Sequence, residues 1–140
     1  MKTLDLADLD STAESTFDVP VAFDADGNAI AGFKVVGKNS TKYRNAKRRQ
    51  DVIAVKKSTQ RGGKAPDGKT DEGALQYLED STARESAIVR ACVVDWYGFT
   101  KNGAAIALTD DELVNVFEKR PTWFDKVSAS ISTDANFTQS

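Results

Sequence analysis

Residues 63–70 read GKAPDGKT: a glycine, four further residues, then Gly-Lys-Thr. That spacing suits a phosphate-cradling loop, in which backbone N–H groups converge on the phosphates, the lysine reaches them and the hydroxyl holds magnesium. The run ACVVD at 91–95 has the form of the apolar segment and aspartate that hold the metal in such proteins. The flanks argue against that chemistry. A phosphate loop needs a buried strand directly before its first glycine, and KKSTQRG is too polar to be one. DVIAV at 51–55 is apolar but ends well short of Gly63, and ACVVD continues a helical pattern that begins at Leu75. Strand candidates are too few for a parallel sheet with crossover helices. Lys69 then reads as one more charge in a basic linker.

The remaining candidate chemistry is thinner. The chain has no histidine, which removes the commonest general base and metal ligand at neutral pH. Its single cysteine, Cys92, cannot by itself close a disulfide or build a zinc site, and reads as a small buried hydrophobe. DADGN at 24–28 resembles a calcium loop, but Ala22 and Phe33 would fall at ligand positions, so a turn explains it. The carboxylate pairs Glu79-Asp80 and Asp110-Asp111 are neighbours on helices and do not aim at a common point. No catalytic residue, cofactor or metal is expected.

The elements around these residues follow from periodicity and punctuation. FDVPVAFDADGNAIAGFKVVG, 17–37, reads as a β-hairpin turning at Asp26-Gly27, with Pro20 marking an edge strand. Residues 38–60 form a basic helix with Asn39 and Ser40 as cap candidates and a thin apolar stripe at Tyr43, Ala46, Ile53 and Ala54. RGGKAPDGKTDEG, 61–73, is linker chemistry. A long central helix runs from about Asp71 to Tyr97, with Leu75, Leu78, Val89, Cys92 and Trp96 at three- and four-residue steps apart from a polar middle turn, and Gly98 ends it. A short hairpin turns at Asn102-Gly103. Thr109 and Glu112 box the start of a third helix that carries Leu113, Val116 and Phe117 and stops at Pro121. A last helix carries Trp123, Phe124, Val127 and Ile131. The fold expected is α+β, mainly α: N-terminal β-hairpin, basic helix, long central helix, short hairpin and two C-terminal helices. Residues 1–16 read as a flexible acidic tail, 17–137 as a single domain and 138–140 as a tail.

Charge is segregated along the chain. Residues 1–33 hold one basic and seven acidic residues, 34–70 twelve and two, and 71–140 six and twelve. A basic block between acidic flanks can meet nucleic acid or an acidic protein surface. No stretch is apolar and long enough for a signal peptide or a bilayer span, so a soluble, non-secreted protein is expected.

The ordered set of C-terminal features resembles the tail assembly chaperones of long-tailed bacteriophages. It comprises the aromatic phrase Trp96-Tyr97-Gly98, the hairpin from Asn102-Gly103 to Thr109, the capped helix from Asp110 to Pro121, and the closing Ala135-Asn136-Phe137. GKNSTKYRNAKRR is similar to the family's opening, so the likeness spans roughly residues 17–137, with the Gly/Lys-rich linker and the residues after Phe137 departing from the pattern. The resemblance implies a non-enzymatic protein of the infected host's cytoplasm that binds the tape-measure protein and helps recruit tail-tube subunits. Self-association is a further expectation, and a membrane is not. Trp96, Tyr97, Phe99, Trp123 and Phe124 are candidate partner contacts, with core packing as the competing reading. The second candidate surface is the basic helix, through Lys42, Arg44, Lys47, Arg48 and Arg49. The alternatives are a nucleic-acid-binding module using helix residues 42–57, which the acidic flanks and the lack of interleaved aromatics oppose, and a P-loop nucleotide-binding protein.

Overall fold

The structure is a computed structural model that describes residues 14–60, 71–133 and 135–138, together with Leu6. GKAPDGKT, most of the expected linker and most of the acidic tail lie outside the described residues. Two strands, β1 (Thr16–Phe23) and β2 (Ala29–Val36), form the N-terminal hairpin. Its turn is tied by the Asp24 carboxylate, which accepts from the backbone N–H of Asp26 and of Asn28, both at 2.9 Å. Helices α1 (Thr41–Gln60) and α2 (Asp71–Cys92) follow.

The chain then departs from the expected helix. Val93–Tyr97 is a strand, β3, antiparallel to β2, and the sheet order is β1-β2-β3. The reason lies in pairing across the sheet. Val19, Phe33 and Trp96 stand opposite one another, as do Asp18, Lys34 and Asp95 one residue along. The first row is buried and the second exposed. This is the alternation a half-buried sheet demands, and a slip of one residue would invert it. The gain from this row outweighs continuing the helical stripe. Gly98, expected to end a helix, instead ends this strand, with φ +81° and no room for a Cβ against the Ile30 carbonyl.

Two short strands, β4 (Thr100–Lys101) and β5 (Ala104–Ala105), pair across Asn102-Gly103. Both turn residues have positive φ, 54° and 82°, which suits the two-residue hairpin turn and its Asn-Gly preference. Helix α3 (Asp110–Lys119) is capped by Thr109, whose hydroxyl accepts from the Glu112 N–H. Pro121 is the first residue of α4 (Pro121–Ser132), so it starts a helix as well as ending one. A short helix, α5 (Ala135–Thr138), closes the described chain.

The core lies between the sheet's inner face and the helices. Phe33 is fully enclosed, with ring centroids 5.2 Å from Phe99, 5.4 Å from Phe117 and 6.4 Å from Trp96. Leu113 from α3, Val127 and Ile131 from α4, and Val89 and Cys92 from the end of α2 complete it. Phe137 covers one edge, meeting the Phe17 ring edge-on at 6.1 Å.

A candidate partner-binding arm

Helix α1 begins firmly. Ser40 is fully buried; its hydroxyl donates to the Gly37 carbonyl at 2.7 Å and accepts from the Tyr43 N–H at 3.2 Å. The Glu14 carboxylate accepts from both the N–H and the hydroxyl of Thr41, and these bonds, the hydroxyl's first, hold it below the usual glutamate range. From that anchored start α1 packs chiefly on α2. Lys57 pairs with Asp80 at 3.3 Å and Asp51 with Arg84, so the two helices run antiparallel as an arm.

The arm is poor in burial. None of the side chains described on α1 is buried, and on α2 only Val89 and Cys92 are, both in its last turn. Nine large hydrophobic residues are exposed among the described residues, and six of them lie on this arm: Val52, Ile53, Val55, Leu75, Tyr77 and Leu78. Surface ion pairs stabilise a helix pair weakly, about 0.2 to 1 kcal/mol each. Most helical stability in proteins comes from burying an apolar face, and this arm has little of that. Leu78 lies 11 residues and Leu75 14 residues before Val89, both spacings that return to the same helix face, so the stripe facing the core continues past the body it packs on.

The structure separates the candidate contact residues into two groups. Trp96 is only 7% exposed, and its indole N–H donates to the Ile106 carbonyl at 2.9 Å. Phe99, Trp123 and Phe124 are half-buried against the core; Phe99 stacks 4.7 Å from Trp96, and Phe124 meets Phe117 edge-on. These aromatics pack into the fold, as the competing reading of them as core residues has it: large rings at the ends of elements find one another first. Tyr97 is half-buried; burial and then its hydrogen bond to Asp18 raise its phenol above the usual tyrosine value. Lys42, Arg44, Lys47, Arg48 and Arg49 are all exposed on α1, and none forms an ion pair among the described residues. Leu75 and Leu78, expected on the inner stripe of α2, and Ile53 and Ala54, expected on the apolar stripe of α1, are all exposed. For Leu75 and Leu78 the signal was the polar turn between Leu78 and Val89, which breaks the stripe of α2.

The element before Gly63 is helix α1, and the strand bearing Asp95 is antiparallel, with Asp95 exposed beside Lys34. Cys92 is enclosed, and burial pushes its thiol up to about 12, Lys42 opposing slightly. Among the described residues no cluster of acidic or cysteine side chains is placed to hold a metal, and no helix is long and apolar enough to cross a membrane. Comparison with protein-family models, curated proteins and solved structures returns no match.

Proposed function

We propose that this chain is a tail assembly chaperone of a long-tailed bacteriophage. In that role it binds helical stretches of the tape-measure protein and helps recruit tail-tube subunits during tail morphogenesis in the host cytoplasm. It acts by contact and breaks no bonds. The observation that carries this reading is the α1–α2 arm, on which exposed apolar side chains gather while the aromatics of the body stay packed. An amphipathic client helix laid on such an arm would complete the burial that the arm lacks, and the surrounding charge would keep the free protein dispersed. Co-expression with the tape-measure protein is expected to raise that protein's soluble fraction and to yield a complex in a pull-down. An unchanged soluble fraction and an empty pull-down would remove the proposal.

A second reading is favoured by one observation: α1 carries seven basic residues and one acidic residue, and the Lys42 to Arg49 cluster is exposed and forms no ion pair among the described residues. A nucleic-acid-binding module would use that face, with affinity falling steeply as salt rises. A gel shift at low salt separates the two readings.

A further inference from the structure

One side of the arm is a groove with a cavity volume of about 740 Å³. Its lining includes Ala46, Ala87 and Ala91, small side chains that let another backbone come close. Arg90 at one end is already committed within the chain, donating to Asp110 at 2.9 Å and to the Ser86 hydroxyl at 2.8 Å. Ile53 lies towards the other end, 37% exposed. Of the five clustered cations of α1 only Lys42 and Arg49 line the groove; neither forms an ion pair among the described residues, and the Glu14 carboxylate, bonded to Thr41, is close enough to feel the charge of Lys42.

We propose that this groove receives an acidic amphipathic α-helix of a partner protein. Two of its carboxylates, separated by two helical turns, face Lys42 and Arg49, and a stripe of small or aliphatic side chains lies against Ala46, Ala87 and Ala91. The spacing follows from helix geometry. Lys42 and Arg49 are seven residues apart, about 10 Å along α1, and a partner helix lying alongside reproduces that rise at positions i and i+7. Charge complementarity selects an acidic partner, because the groove's only carboxylate, Asp110, is held by Arg90. Helix-in-groove recognition of this kind takes its affinity from apolar anchors and its register from the flanking charges. The inference rests on the chaperone reading proposed above and adds the chemistry by which clients would be chosen.

The test uses the full chain and three synthetic amphipathic helical peptides of equal composition along the apolar stripe. One carries glutamates at i and i+7 beside the stripe. The second carries them on the opposite face, and the third has lysines in place of the glutamates. Fluorescence anisotropy is expected to show the first peptide binding about tenfold more tightly than the second, the scale of two solvent-exposed ion pairs. Lys42→Glu with Arg49→Glu should weaken the first peptide about tenfold and let the lysine peptide bind, a charge-swap rescue that misfolding cannot produce. If the double variant fails to fold, Lys42→Gln with Arg49→Gln replaces it, with loss of preference for the first peptide expected. Equal affinity of the peptides for the wild-type and variant proteins would overturn the groove assignment and leave the chaperone reading standing. Absence of peptide binding while the tape-measure protein is still solubilised would do the same. Loss of both would remove both. Binding of short random duplex DNA by the wild type but not by the variant, with no peptide bound, would overturn the inference in favour of nucleic acid.

Discussion

Leu75→Ala combined with Leu78→Ala separates binding from folding. These residues are 57% and 61% exposed, so more than half of each is still open to water and free to gain from being covered. Complete burial of a leucine side chain is worth about 1.5 to 3 kcal/mol, so a client helix covering the open part of both would gain about 2 to 3 kcal/mol in all. Truncation to alanine forfeits most of that, which corresponds to client binding weakened about tenfold to a hundredfold. Stability should hardly move, because alanine is at least as good a helix former as leucine and exposed substitutions usually stay within about 0.5 kcal/mol. Trp96→Ala gives the contrast: the residue is buried, and its loss should cost about 3 to 5 kcal/mol of stability. The assays are calorimetric titration with a tape-measure helical segment and urea unfolding of each variant. A double variant that loses several kcal/mol of stability, or that binds the segment with unchanged affinity, would refute the reasoning.

Three further outcomes follow from the geometry. Gly98→Ala should be strongly destabilising, since a Cβ at φ +81° would run into the Ile30 carbonyl, whereas Gly27→Ala meets no neighbour and should cost only backbone strain of about 1 to 3 kcal/mol; chemical denaturation compares them. Cys92, with its thiol raised to about 12, should resist thiol reagents at pH 8 in the native state and react rapidly in urea. Glu14 is held below the ordinary glutamate pKa of 4.5, so its support of the α1 start is complete above that value and is lost as pH falls through the lower folded value. NMR shifts of the first turn of α1 should follow that titration, and Glu14→Gln should abolish it.

Much of the fold was legible because its punctuation is chemical. Gly27 and the Asn102-Gly103 pair mark turns that need positive φ, and the Thr109 hydroxyl with Glu112 three residues on marks a helix start. The strand Val93–Tyr97 was misread because Leu75, Leu78, Val89, Cys92 and Trp96 fit a helical step as well as VVDWY fits alternation. Only the partner strand β2, distant in sequence, decides between them. The basic face was readable because charges on a helix with a thin apolar stripe have nowhere to go but outward. The aromatic residues were not, since a ring's type does not say whether it meets a client or Phe33. Leu75 and Leu78 carry the same lesson: periodicity says which face they share with Val89, but how far the body extends under that face is a tertiary fact.

Hydrogen exchange of the free chain, and of the chain with a tape-measure helical segment, is the most direct test of the central claim. Slowed exchange concentrated in residues 41–59 and 71–88, with the three-stranded sheet unchanged, is the result expected of an arm completed by its client. Protection centred on β1 to β3 or on α4, or no change while the segment is bound, would contradict the account.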